Sequence, residues 1–238
     1  MINHLKNTRL YSKFKSVSFN AVSGKFHDMV YSHESVGKLL ALADSAEFAA
    51  TNMSDATPCD DKRDVRERGL ALMPDHGLVL EFGVWSGKSI NMIADHVGRT
   101  RHVHGFDSFE GLPEDWFGQY TKGRFHTNGK LPEVRPNVQL HVGWFDKTLP
   151  AFVAEHRESI AFLHVDCDLY SSTKTIFDLL GDRLVPGSVI LFDEYFNYPG
   201  WREHEHRAFQ ELVQERSLKY RWIAYNTVEL NAALQVID

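Results

Sequence analysis

Acidic residues stand where apolar runs end: Glu81 in VLEFGVWSGKS, Asp107 in HVHGFDS, Asp166 in FLHVDCD, and Asp193 with Glu194 in VILFDEY. Each run has the composition of a strand buried on both faces, so the acids collect at strand ends. Acids at four such ends are too many to arise from surface statistics alone. Gly83 and Gly87 follow Glu81 and let the chain turn sharply and approach a small ligand closely. A carboxylate beside this loop would repel a pyrophosphate and favour a cationic group. S-adenosylmethionine carries both a sulfonium and an ammonium. Glu81, Gly83, Gly87 and Ser89 are therefore expected to cradle its methionine side.

Asp107 lies 26 residues beyond Glu81. An acid at the end of the next strand, at about this spacing, can accept hydrogen bonds from both ribose hydroxyls. Asp107 and Ser108 also form a turn-like pair, so a capping role is the alternative. Trp144 and Phe145 follow the third strand, where an adenine ring would lie, and either stack on it or pack in the core.

Asp166, Asp193 and Glu194 end two strands expected to be neighbours. Three carboxylates brought together repel one another and raise at least one pKa. No Lys or Arg adjoins them in sequence, although Arg202 could fold back. A divalent cation answers this charge, and all-oxygen ligands suit Mg²⁺, Mn²⁺ or Ca²⁺ over zinc. The alternative places one carboxylate on the cofactor and leaves two to cap helices. Cys167 sits between two acids, but its side chain points to the opposite face, so packing is expected of it. His204 and His206 flank Glu205 on different faces of a helix, which is not the spacing of a zinc pair. One of them could still reach the acids as a base.

These residues need a framework. Strand-like runs over 78–82, 102–107, 137–142, 160–166 and 188–193 alternate with helix-like segments over 87–98, 149–157, 171–181 and 201–216. That alternation predicts a doubly wound, mainly parallel α/β sheet. Runs over 221–225 and 231–237, joined by a short link, should close it as an antiparallel hairpin, giving seven strands. Residues 1–76 read as a helical N-terminal cap or oligomerisation segment, with helices over 35–53 and 60–73. Residues 77–238 form the cofactor-binding domain. Residues 108–136 are a long loop insertion rich in Gly and Pro. Trp116, Phe117, Tyr120 and Phe125 either pin that loop or line an acceptor pocket.

The 238 residues carry a net charge of -6. Only a sparse basic segment, Lys6, Arg9, Lys13 and Lys15, stands near the start, so no footprint for nucleic acid exists. No apolar run of about 18 residues marks a membrane span. The first residues lack an apolar leader core, and two cysteines make no disulfide framework, so a cytoplasmic protein is expected. The detached helical start favours a homo-oligomer.

Four pieces in order, LEFGVWSGKSI, FDSFEGLPEDW, LHVDCDLYSST and LVPGSVILFDEY, resemble the macrocin O-methyltransferase (TylF-type) family of class I S-adenosylmethionine-dependent methyltransferases. The resemblance runs over about residues 78–210 and implies a Rossmann-like fold. It also implies Mg²⁺ held after the fourth and fifth strands, here by Asp166, Asp193 and Glu194. Glu194 stands where the family has Asp, and Cys167 where Gly is usual. The implied reaction is methyl transfer to a hydroxyl of a small molecule, such as a sugar or glycosylated natural product. Asp166 is expected to serve as proton acceptor as well as cofactor contact and metal ligand, with Asp168 or a nearby His as its substitute. Rival readings are a metal-independent O- or N-methyltransferase, an NAD-dependent oxidoreductase, which would prefer a G-x-G-x-x-G loop, and a non-catalytic relative that keeps the fold.

Overall fold

A computed structural model describes residues 32–238. The basic residues before Lys15 and the first part of the expected N-terminal cap lie outside the described residues. In chain order the elements are α1 (His33–Asn52), β1 (Thr57–Cys59), α2 (Lys62–Ala71), β2 (Leu78–Phe82), α3 (Lys88–Val97), β3 (Val103–Asp107), β4 (Val138–Val142), α4 (Phe145–Glu155), β5 (Ile160–Val165), α5 (Tyr170–Leu180), β6 (Val189–Phe192), α6 (Glu205–Arg216), β7 (Lys219–Asn226) and β8 (Ala232–Ile237).

The strands form one sheet in the order β1-β7-β8-β6-β5-β2-β3-β4. β8 runs antiparallel to both neighbours, β6 and β7, and every other pairing is parallel. The sheet has eight strands where seven are expected from sequence. The addition is β1, whose three residues are too short to show alternation. It pairs in parallel with β7, Thr57 opposite Ala224.

Both faces of the sheet are covered, which explains the unbroken apolar runs of its centre. Leu78, Leu80 and Phe82 of β2 face a core shared with α1, α4, α5 and α6, through Phe48, Phe152, Phe177 and Phe209. Val79 faces the opposite core, built with Val65 and Leu70 of α2 and Ile90 and Ile93 of α3. Strand alternation then puts Glu81, His164 and Asp193 on the α2–α3 side as well.

The N-terminal helices are fastened in detail. Ser32 caps α1 by accepting from the Ser35 amide, and Asp61 caps α2 by accepting from the Arg63 amide. Phe48 packs edge-on against Trp201 and Trp222, and the Ser45 hydroxyl accepts from the Asn197 amide. Arg202 does not fold back on the strand-end acids; it forms a two-pronged pair with Asp44 of α1.

Two helices differ in extent from the sequence pattern. α4 begins at Phe145 and runs through Pro150, which the pattern would place in its first turn. The segment expected as one helix over 201–216 is a short 3₁₀ turn at Trp201–Glu203, then α6, with His204 in a non-helical conformation between them.

A histidine pair joins β3 to β4, with His104 Nδ1 3.1 Å from His141 Nε2. Burial, with His141 and His156 nearby, lowers the His104 pKa to about 4. Below its ordinary value near 6.5 the unfolded chain takes up a proton that the folded ring refuses. Stability from this group is complete above pH 6.5 and falls as the pH drops toward 4. The expected loss is about 2 kcal/mol, discounted for partial solvent screening. Denaturant midpoints followed from about pH 7.5 to about pH 4.5 should decline less in His104→Leu than in the wild type; parallel curves would clear His104 of this role.

Candidate active site

Hydrogen bonding continues past the strand ends and lines up the residues that follow. The Gly83 amide donates to Phe106 O, the Asp166 amide to Phe82 O and the Asp193 amide to Val165 O, each at 2.9 Å. The loop after β2, Asp166 and Asp193 are thereby held in one row along the sheet edge. Gly83 is essential to that closeness. Its φ is +92°, and a Cβ there would lie 1.6 Å from the Asp166 carbonyl oxygen. Gly87, φ +76°, starts α3 with no side-chain cap.

Above this edge opens a cavity of about 760 Å³. One side holds Gly83 to Ser89, Asp107, Ser108 and Trp144; the other holds Asp166, Asp168, Asp193 and Glu194. The expected cofactor and metal residues therefore share one space, with Glu81 as the exception.

Glu81 is fully buried beneath the cavity. One of its oxygens accepts from the Ser89 hydroxyl at 3.0 Å, and the other lies 2.8 Å from His164 Nδ1. It sets the positions of Ser89 and His164 rather than touching the open space. Asp107 is committed as well. Its Oδ2 accepts from the Val84 and Trp85 amides, both at 2.8 Å, and its Oδ1 from Phe109 at 2.7 Å. The turn role is thus present, and Oδ1 keeps a free lone pair toward the cavity for a ribose hydroxyl. Ser108 caps its own turn by accepting from Glu110 N. Phe145 packs against Phe82 of the core, while Trp144 is left on the cavity wall.

His164, which the sequence reading passed over, organises the acid cluster. It stands opposite Glu81 in the β2–β5 register. Burial disfavours its charge, but the carboxylates of Asp193 and Glu81 outweigh burial and raise its pKa to about 10. Its Nε2 is 3.8 Å from Asp193 Oδ1, and Lys62 of α2 brings its ammonium 3.8 Å from Asp193 Oδ2. Burial works against ionisation of Asp193, yet these two cations hold it well below the usual carboxylate range. The remaining acids lack such help. Burial, then Asp193, pushes Asp166 and Glu194 well upward and Asp168 to about 7. Glu205 is likewise raised by burial and Asp168.

The expected metal trio divides into two overlapping sets. Asp166 and Asp193 group with His164, whereas Asp166 and Glu194 group with Asp168, ligand atoms within 4.8 Å in each set. The second set is all oxygen, and Glu194 Oε2 is buried with no partner. Raised carboxylates, an orphaned oxygen and an oxygen-only donor set fit a hard divalent cation.

The loop over 108–136 contains neither helix nor strand, and it does both things its aromatics allow. Phe117 stacks on Tyr198 at 5.0 Å, which pins the loop, and Phe125 meets Trp85 edge-on at 5.6 Å across the cavity mouth. Trp116, Phe117, Tyr120 and Phe125 all line the cavity. His204 and His206 do not line it; His206 packs among Phe48, Tyr195 and Trp201. Cys167 is buried, with Sγ 3.3 Å from Thr173 Oγ1.

A mainly parallel sheet with one antiparallel strand near its end, a glycine loop after β2 and acids at successive strand ends define the class I methyltransferase fold. Within it, residues 80–195 are a methyltransferase domain and match the family model of that description. The chain is 36% identical over 141 residues to 8-demethyl-8-(2,3-dimethoxy-alpha-L-rhamnosyl)-tetracenomycin-C 4'-O-methyltransferase of Streptomyces olivaceus, covering 50% of this chain and 53% of that protein. It is 29% identical over 163 residues to demethyldecarbamoylnovobiocin O-methyltransferase of Streptomyces niveus, covering 58% and 61%. The matches thus span between half and two thirds of these relatives' lengths. Among solved structures, the calicheamicin methyltransferase CalS11 superposes with a TM-score of 0.58 at 20% identity, covering 98% of this chain and 89% of that one. Among the described residues no helix is long and apolar enough to cross a membrane.

Proposed function

We propose that this protein is an S-adenosylmethionine-dependent O-methyltransferase whose acceptor is a hydroxyl of a glycosylated small molecule. The observation that carries this reading is the shared cavity: the Gly83 loop and Asp107 on one side, the buried acids on the other. The names of the Streptomyces relatives point to the same acceptor class. An aromatic wall from Trp116 to Phe125 suits the apolar face of a sugar or its aglycone.

The sulfonium methyl is already activated, so the protein must supply alignment and a proton acceptor. Fixing the acceptor oxygen in line with the methyl group can contribute on the order of 7–11 kcal/mol at best. Asp166, at the junction of the two sides, takes the hydroxyl proton as the oxygen attacks the methyl carbon and S-adenosylhomocysteine departs. Asp168, with its pKa near 7, is the alternative acceptor. His164 is already protonated and cannot take that proton; its part is to keep Asp193 ionised and in place. Asp166, Asp168 and Glu194, with Asp193 beside them, would hold a divalent cation. When bound, such an ion would lower the pKa of the acceptor hydroxyl and fix its oxygen.

Calorimetry with S-adenosylhomocysteine and with NAD tests the cofactor; binding of NAD alone would sink this reading. The cation makes a separate prediction. Adding Mg²⁺ should raise the melting temperature of the wild type by several degrees, as a ligand specific to the folded state does, and should leave Glu194→Gln almost unmoved. EDTA should abolish turnover. No melting shift, with turnover intact in EDTA, would leave a metal-independent transfer.

A further inference from the structure

On the loop side of the cavity, α2 contributes a charge that nothing described so far uses. Arg66 is only 6% exposed, yet it lines the cavity. Its Nη1 faces the sulfur of Met92 at 3.1 Å, and its Nε is buried without any partner. Among the described residues no carboxylate pairs with it. A guanidinium in this position lacks the anion that normally accompanies a buried charge.

A second feature points into the same corner. Met92 belongs to α3, whose N-terminus opens on the cavity at Gly87, Lys88 and Ser89. Gly87 provides no cap, and the first turn of α3 contains no acid. The Ser89 hydroxyl, which could have capped, donates to Glu81 instead. Helix amides without a cap and a buried cation without an anion both call for a negatively charged group.

Position along α2 decides which ligand supplies it. Lys62 and Arg66 are one turn apart, so they lie along the same helix face. Lys62 reaches Asp193 and the acid cluster, where the acceptor hydroxyl belongs. Arg66 reaches α3 and the glycine loop, where the cofactor belongs. We propose that Arg66 and the uncapped N-terminus of α3 form a carboxylate subsite for the amino-acid end of S-adenosylmethionine. The subsite rests on the cofactor reading given above. Planar guanidinium and carboxylate match in two parallel hydrogen bonds, which fixes the orientation of the methionine chain as well as its affinity.

The test compares S-adenosylhomocysteine with 5'-methylthioadenosine, which keeps the nucleoside and thioether but lacks the amino acid. Calorimetry on the full chain should show Arg66→Gln weakening S-adenosylhomocysteine by about 30- to 100-fold and methylthioadenosine by less than about two-fold. Arg66→Lys should regain part of the loss, since it keeps the charge without the fork. Equal weakening of both ligands would mean that Arg66 only shapes the wall, and would overturn the proposal. Unchanged affinity for S-adenosylhomocysteine would overturn it too. The wild type gives an arm independent of folding in the variants: S-adenosylmethioninamine, which lacks only the carboxylate, should bind much more weakly than S-adenosylmethionine, and equal binding would remove the subsite. A wild type that binds none of these nucleosides fails at the cofactor reading itself, a distinguishable result.

Discussion

Replacing Gly83 with alanine is expected to abolish measurable S-adenosylhomocysteine binding and to cost the fold about 3 kcal/mol or more. Two effects add. A side chain at φ +92° is strained wherever it sits, at roughly 1–3 kcal/mol. Here the new Cβ would also fall 1.6 Å from the Asp166 carbonyl oxygen and 2.7 Å from its carbon, both backbone atoms. The ends of β2 and β5 would have to part. That breaks the contact from Asp166 N to Phe82 O and moves the glycine loop away from the acids. Gly98→Ala is the matched control, because Gly98 has φ +75° and nothing within 4 Å of the added Cβ. It should lose only about 1 kcal/mol and keep its affinity. Urea denaturation and calorimetry on both variants decide the matter; similar losses would show that backbone strain, and not close approach, is what Gly83 relieves.

Asp166→Asn should lower methyl transfer by about a thousandfold, within the range expected for loss of a positioned proton acceptor. The same change should leave the protein as stable as before or more so. Asp166 is buried among Asp193, Asp168 and Glu81, and burial followed by these charges raises its pKa. A carboxyl whose folded pKa lies above its unfolded one binds more protons when folded, so its stabilisation shrinks as the pH rises through that window. Asparagine removes the titration. The advantage of the variant should be absent near pH 4 and grow toward neutral pH, as read from melting temperatures across the range. Full activity would move the proton acceptor to Asp168. A variant less stable at neutral pH would show that attraction to His164 outweighs the repulsion.

The central fold and much of the site were readable because each depends on local pattern. Leu78–Phe82 and Ile160–Val165 are buried along their whole lengths, so each reads as an unbroken apolar run, and the acid that ends or follows it marks the ligand edge. The hairpin was readable from two strand patterns with no helix between them. What could not be read depends on partners remote in sequence. β1 is three residues long, and its partner Ala224 lies 167 residues beyond Thr57. His164 looks like a filler residue in an apolar strand until the β2–β5 register sets it against Glu81. A buried ionisable residue in a strand beside one bearing a buried acid was the available clue. Lys62 and Arg66 carried none, since they lie in a charged helix whose outward side would be read as solvated. The metal trio was shifted by one member for a related reason. Asp193 is already engaged by His164 and Lys62, which leaves Asp168, φ +64°, turned toward Asp166 and Glu194.

The place of β8 in the sheet bears on how the protein is made. β8 lies between β6 and β7, although it follows both in sequence, and β1 joins the sheet only through β7. During synthesis the half formed by β2 to β6 can assemble as it leaves the ribosome. β7 and β1 have no place to attach until Ala232–Ile237 emerges. At about 5–20 residues per second the β6 edge stands open for several seconds. In that interval β6, apolar from Val189 to Phe192, offers an unpaired edge that other chains could join. Chains stalled or cut before residue 232 should therefore aggregate and depend on chaperones, even though the glycine loop and the strand-end acids have already been made.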